Sequence, residues 1–137
     1  MKYSVDFSNQ FAIEFSRIPD SHQMAVASFV VTYQTHGLSD QTKHIGRISP
    51  SWHRLPTNHP NYIYAKQHEL WHYHVGLPGY SGHQSWGRTS DWLLHFQWPD
   101  AGNHITLVDL YQHYTWKGDF YLPPKENLPE EVQDNQR

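Results

Sequence analysis

The chain contains no cysteine, so neither a disulfide bond nor a metal site with thiolate ligands is available to it. It also has no uninterrupted run of about 18 apolar residues, the length that a helix needs to cross a membrane. Its first ten residues, MKYSVDFSNQ, lack the apolar stretch of a secretion signal. Together these absences lead us to expect a cytoplasmic protein without a membrane partner.

Acidic residues are missing from a long stretch in the middle of the chain. The formal net charge is −3, which is unlike the charge of a simple basic nucleic-acid binder. Between Asp40 and Glu69, however, the only charged side chains are basic: Lys43, Arg47, Arg54 and Lys66. The first three are candidates for contact with a phosphate backbone, and an ordinary solvated loop is the alternative.

The chain has 137 residues, which is enough for one domain with a substantial core. Only 37% of the residues are hydrophobic but 15% are aromatic, so the core is expected to consist of few, large side chains. We assign residues 1–122 to this domain. The remainder, PPKENLPEEVQDNQR, is polar and rich in proline, which predicts a disordered tail over 123–137.

A helix is predicted in the first third of the chain. It would run from His22 to about His36, because small and apolar residues lie near helical spacing there. Asp20 or Ser21 would cap its start, and Gly37 would end it.

Three other segments carry weaker signals. Residues 2–7 alternate enough for a short strand, whereas residues 8–18 fit a helix or a strand equally well. Residues 40–61 contain three prolines and are expected to be irregular, with short extended pieces.

Alternation of apolar and polar residues predicts three strands in the second half of the chain. The first would begin near Lys66 and end at Val75, the second would cover 91–97, and the third 104–110. Because only a short turn separates the last two, they are expected to form an antiparallel hairpin. The predicted fold class is α+β, with N-terminal helices packed on a twisted antiparallel sheet of three to five strands.

Histidines alternate with aromatic or β-branched residues in the sequence WHYHV of Trp71–Val75. Successive side chains of a strand point to opposite faces, so His72 and His74 share one face, about 7 Å apart. His95 on the next strand and His113 beyond the third are expected nearby. A polar face turned to solvent is the plainer interpretation of the pair.

Histidines in such a group are suited to cleaving RNA without a metal ion. One group takes the proton of the ribose 2′-hydroxyl, a second protonates the leaving 5′-oxygen, and a cation stabilises the charge that develops on phosphate. Histidine suits the first two roles because its ordinary pKa of about 6.5 keeps both forms available near neutrality. Arg88 suits the third if its loop folds back over the strand, and Asp91 would orient an imidazole or anchor Arg88. The candidate catalytic residues are His72, His74, Arg88, Asp91, His95 and His113, and the choice of acid and base among the histidines stays open.

Short blocks of the sequence resemble, in their order, the YafO branch of bacterial type II toxins, whose relatives have the RelE-like small α+β fold. The blocks are VTYQTHGL at 31–38, IGR at 45–47, WHYHV at 71–75, RTSD at 88–91 and LLHF at 93–96. The resemblance spans roughly residues 20–115. It implies an endoribonuclease that cleaves mRNA in association with the ribosome, inhibits growth and is neutralised by an antitoxin protein.

Thr89 and Ser90 stand inside one of these blocks and join Lys43, Arg47 and Arg54 as candidate RNA-binding residues. A turn or a cap at the start of a strand is the alternative for 89–91. No cofactor is expected for this chemistry.

Two alternatives to a ribonuclease remain: a protein that binds a metal ion, and a protein that binds RNA or another protein without catalysis. His68–His72 reads HExxH, the zinc-protease pattern, but on a strand its histidines would be about 13 Å apart, too far to share one zinc ion. A looser metal site could use His72, His74 and His83. A non-catalytic module could instead present the aromatic and histidine surface to RNA or to a protein.

Overall fold

The structure, a computed structural model, describes residues 2–129. Its strands are β1 (Ser4–Phe7), β2 (Ile48–Pro50), β3 (Leu70–His74), β4 (Trp92–Gln97) and β5 (His104–Gln112). Its α-helices are α1 (Asn9–Phe15), α2 (Asp20–His36) and α3 (Pro60–Gln67). No helix within this described range is both long and apolar enough to cross a membrane.

The five strands form one sheet in the order β1-β5-β4-β3-β2. The α+β class, the number of strands and the β4–β5 hairpin agree with the prediction. The expectation of a wholly antiparallel sheet is wrong at one edge, because β1 pairs parallel with β5. Two helices separate β1 from the next strand in the chain, so no tight turn forces β1 to run antiparallel to its neighbour.

Helix α2 ends as predicted at Gly37, whose φ of 70° suits a residue without a Cβ atom. Its predicted start is wrong: Asp20 is the first helical residue, Pro19 precedes it, and no side chain caps the helix. The preceding segment forms α1, where the Ser8 hydroxyl accepts a hydrogen bond from the Phe11 amide at 3.2 Å. That cap resolves the ambiguity between helix and strand in favour of a helix.

Helix α3 was not predicted, and it occupies residues expected to be irregular or to begin a strand. The Nδ1 atom of His59 accepts a hydrogen bond from the Asn61 amide at 3.0 Å. Pro60 takes the first helical position, where its missing N–H costs nothing. The following strand begins only at Leu70, after Glu69 adopts a φ of 52°.

The sheet has a different cover on each face. One face packs against α1 and α2 through a large aromatic cluster that includes Phe11, Phe29, Tyr33, Tyr73 and Phe96. The other face carries a small cluster of Ala65, Leu70, Val108 and Leu128. Since strand side chains alternate, His72 and His74 lie on this second face, beside Leu70.

Part of the proposed tail over 123–137 lies against this second face. The Tyr64 hydroxyl donates a hydrogen bond to the Pro123 carbonyl at 2.7 Å, and Leu128 belongs to the small cluster. Segment 123–129 therefore packs on the domain. Residues 130–137 lie outside the described residues.

Candidate active site

A cleft of about 680 Å³ opens beside β2 and β3 on the second face of the sheet. Its lining includes Arg47, Ser51, His53, Arg54, His72, His74, His113, Tyr114 and Phe120. Over the described range 2–129, no aspartate or glutamate lines it. The cleft therefore combines imidazoles with two permanent positive charges.

Four histidines form a continuous row that begins in this cleft and continues into the protein. The ring centroids are 5.8 Å apart for His113 and His74, 5.9 Å for His74 and His72, and 6.0 Å for His72 and His95. His72 and His95 face each other across β3 and β4. The structure thus brings together the four histidines that the sequence singled out.

Hydrogen bonds fix the two β3 imidazoles. The Nδ1 atom of His72 lies 2.9 Å from the Ser51 hydroxyl. The Nδ1 atom of His74 lies 2.9 Å from the Ser90 carbonyl oxygen and 2.9 Å from the Ser90 amide nitrogen. With Nδ1 engaged in both rings, Nε2 is the nitrogen left for a ligand in the cleft.

Burial lowers the pKa of every histidine in the row. It lowers the pKa of His74 to about 4; a hydrogen bond to the Ser90 backbone opposes this effect, and the charges of His113 and Arg47 add to it. It lowers the pKa of His95 to about 3 and holds that of His72 well below its ordinary value. At pH 7 the four imidazoles of the row are therefore mainly neutral and able to accept a proton.

Acid is expected to destabilise the domain between pH 6.5 and pH 4. In that window the unfolded chain protonates histidines that the folded protein keeps neutral, so the free energy of unfolding falls as the pH falls. The shift of the His74 pKa from 6.5 to about 4 corresponds to a loss of about 3 kcal/mol. Urea midpoints measured at pH 7, 5.5 and 4 test this.

A matched variant identifies the source of that acid sensitivity. His95→Leu replaces a titratable ring that is 0% exposed with an apolar side chain of similar size. The variant should lose less of its urea midpoint between pH 7 and pH 4 than the wild type. Equal wild-type midpoints at pH 7 and pH 4 would show that these histidines are not buried in the neutral form.

His95 lies behind the cleft rather than in its lining. Neither of its ring nitrogens has a hydrogen-bond partner among the described residues, and Tyr121 packs on the ring at a centroid distance of 5.5 Å. Asp109 lies opposite His95 on β5 and accepts hydrogen bonds from Tyr121 and Asn127. His95 therefore packs behind the three histidines of the row that line the cleft. Asp109 is a buried carboxyl opposite His95, and the sequence did not indicate it as part of the site.

Arg88 does not line the cleft that the histidines share. The segment that carries Arg47 lies between Arg88 and β3: the Arg47 carbonyl accepts from the His74 amide, and the Arg47 amide donates to the Arg88 carbonyl. The Arg88 Nε atom donates to the Gln84 carbonyl. The cations that line the cleft are Arg47 and Arg54, which the sequence indicated only as RNA-binding candidates.

The remaining predicted residues lie outside the lining of the cleft. Asp91 is exposed, and its charge acts to raise the pKa of His113 against the larger effect of burial. Lys43 is exposed and does not line the cleft. Thr89 pairs through its backbone with Ser81, and so holds the loop.

Ser90 has a structural role, in line with the alternative that residues 89–91 form a turn or a cap at the start of a strand. Its hydroxyl accepts from the Gly76 amide at 2.9 Å and donates to the Trp92 carbonyl at 3.2 Å. Ser51, Tyr114 and Phe120 were missed. The absence of acidic residues around Ser51 was the only signal that pointed to any of them.

Metal binding finds little support in the described geometry. Among residues 2–129, no group of three or more His, Asp or Glu side chains is arranged to hold a metal ion. His83 is exposed and lies outside the lining of the cleft. In the HExxH segment, His68 follows the last turn of α3 while His72 lies on β3, so the two do not share a helix face.

The fold and the cleft define an α+β protein with a five-stranded mixed sheet and a site built from imidazoles and arginines. Comparisons with protein-family models, curated proteins and solved structures found no match for this chain. What the cleft can do follows from its own side chains.

Proposed function

We propose that this protein is the toxin of a type II toxin–antitoxin system, a RelE-like endoribonuclease that cleaves mRNA at the ribosome. One observation carries the proposal: His72, His74 and His113, whose pKa values burial lowers, line one cleft together with two arginines and with no carboxylate of the described chain. Those groups are what attack by the ribose 2′-hydroxyl needs, namely a base, an acid and cations.

His74 is the proposed base. When its Nδ1 carries the hydrogen and donates to the Ser90 carbonyl, Nε2 is free to take the proton of the 2′-hydroxyl. The oxygen then attacks the adjacent phosphorus and displaces the 5′-oxygen of the next nucleotide. A neutral imidazole at pH 7 is the form that this step requires.

His113 is the proposed acid that protonates the leaving 5′-oxygen. It is the least buried histidine of the row, and Asp91 is close enough to favour its protonated form. A bound phosphate would favour that form further, since an anion raises the pKa of a nearby imidazole. The 5.8 Å between the His74 and His113 ring centroids allows both rings to contact one phosphodiester.

Arg47 and Arg54 would stabilise the charge on the attacked phosphate. The charge of Arg47 contributes to lowering the pKa of His74, so the two side chains are close. Arg54 adopts a φ of 65°, a left-handed conformation that costs a non-glycine residue about 1 kcal/mol or more. The proposal thus moves the cation from Arg88 to these two arginines.

The placement of the sequence blocks supports the resemblance to the toxin family. The block at 31–38 includes the end of α2, the block at 71–75 covers all of β3 but its first residue, and the block at 93–96 lies in β4. The implied partners are mRNA, the ribosome and an antitoxin protein that covers the cleft, and the implied location is the cytoplasm.

Arg47 and Arg88 are alternative candidates for the cation that stabilises the phosphate, and variants of each can be compared on purified protein. Arg47→Ala should slow the cleavage of a labelled single-stranded RNA by a factor of about 10² to 10³, because a donor to the developing charge is lost. Arg88→Ala should cost about ten-fold at most, because Arg88 lies outside the lining of the cleft and bonds the Gln84 carbonyl instead. Equal losses in both variants, or a loss only with Arg88→Ala, would contradict the proposed site.

Non-catalytic RNA binding is the second candidate, and the neutral state of the histidine row favours it. Burial lowers the pKa of His72, His74 and His113, so the neutral form of each, which is a weak acid, predominates at pH 7. An unmodified RNA that is bound but remains whole after prolonged incubation would support this candidate over the nuclease.

A further inference from the structure

A second depression of about 380 Å³ adjoins the cleft. The two share Arg47 and Ser49 in their linings, so Arg47 stands at the border between them. The other side chains of the second depression include Gln41, Gln84 and Trp86. A single strand of RNA with a phosphate beside Arg47 would therefore place a neighbouring nucleotide in this depression.

Trp86 gives the depression an aromatic surface that the fold leaves available. Its side chain is 42% exposed, and within residues 2–129 no other aromatic ring packs on it. Backbone hydrogen bonds on its C-terminal side fix the loop: the Gly87 amide donates to the His44 carbonyl at 3.3 Å, and the Arg88 amide donates to the Ile45 carbonyl at 2.8 Å. The indole is therefore held beside Arg47 without belonging to the core.

Two glutamine amides complete the depression. Gln84 donates through Nε2 to the Gly87 carbonyl at 3.2 Å, which orients its Oε1 atom as an acceptor. The Arg88 Nε atom donates to the Gln84 backbone carbonyl, so Arg88 positions this loop. An amide presents both a donor and an acceptor, which suits the edge of a nucleobase.

We propose that this depression binds one nucleobase of single-stranded RNA, next to the phosphate that is cleaved. The base stacks on Trp86, Gln41 and Gln84 contact its edge, and Arg47 holds the phosphate between the two subsites. The inference rests on the proposed function, because it takes the strand in the cleft to be RNA. A duplex does not fit, since its bases are stacked and paired within the helix.

Binding of a strand that cannot be cut tests this inference. The probe is a fluorescein-labelled single-stranded 2′-O-methyl RNA, whose attacking hydroxyls are blocked, followed by fluorescence anisotropy. Trp86→Ala should weaken its binding about ten-fold or more, whereas Trp86→Phe, which retains a stacking face, should stay within about three-fold of wild type. Trp116→Ala is the matched control, because Trp116 is 89% exposed and lines neither depression.

Each outcome decides between the two proposals. Wild-type affinity in Trp86→Ala, or an equal loss in Trp116→Ala, would overturn the base subsite even if the protein cuts RNA. Binding through Trp86 by a protein that cuts no unblocked strand, with or without ribosomes present, would overturn the nuclease and leave the base subsite standing.

Discussion

Replacing His74 by asparagine is expected to slow RNA cleavage by a factor of about 10² to 10⁴ while the domain stays folded. The asparagine amide can stand in for Nδ1 and keep a hydrogen bond to the Ser90 backbone, which His74 makes at 2.9 Å. It offers nothing at the position of Nε2, the nitrogen proposed to take the proton. Single-turnover cleavage of a labelled RNA measures the effect.

His83→Asn is the matched control for that experiment. His83 is exposed on the loop and does not line the cleft, so the same substitution there should leave the rate unchanged. Urea denaturation of both variants separates a chemical defect from an unfolded protein. A folded His74→Asn protein that cuts RNA at the wild-type rate would remove His74 from the mechanism.

Replacing Gly46 by alanine is expected to lower the free energy of unfolding by about 4 kcal/mol or more. A Cβ atom there would lie 1.8 Å from the His74 carbonyl oxygen and 2.9 Å from the Tyr73 ring. That oxygen is a backbone atom, and it also accepts a hydrogen bond from the Tyr80 hydroxyl at 2.9 Å. The clash therefore cannot be relieved by turning a flexible side chain.

Gly79→Ala provides the comparison, because a Cβ atom at Gly79 would meet nothing within 4 Å. Its urea midpoint should stay close to that of the wild type. If Gly46→Ala unfolds at the wild-type midpoint as well, the close approach of Gly46 to β3, and with it the position of Arg47 beside His74, is not as described.

Local patterns were sufficient for the elements that carry the histidines. Alternation in WHYHV placed His72 and His74 on one face because β3 is a regular strand there. The short turn between β4 and β5 fixed their antiparallel pairing. Gly37 marked the end of α2 because its positive φ favours a residue without a side chain.

Elements that depend on distant partners were not accessible in this way. The parallel pairing of β1 joins Ser4 to His104, and nothing local to either strand indicates it. Helix α3 was missed because Tyr62, Ile63 and Tyr64 also suit a strand, and the cap at His59 is a weaker signal.

Which arginine borders the cleft could not be predicted, for the same physical reason. Arg88 and Arg47 are equally suitable in sequence, and only the pairing of the Arg47 segment between β3 and Arg88 decides which guanidinium borders the cleft. The burial of the histidines also depends on a distant segment. Phe120 packs against His72 and His113 at centroid distances of 5.4 and 5.2 Å. It therefore covers part of the histidine face of β3, which the sequence alone would allow to be exposed to solvent.

Induced expression of the wild-type chain in bacteria, beside His74→Asn at the same protein level, tests the ribonuclease proposal most directly. Growth and mRNA integrity are followed in the same cultures. The proposal predicts that the wild type stops growth and cuts transcripts, while the variant does neither. Normal growth with whole transcripts in the wild-type culture would contradict it.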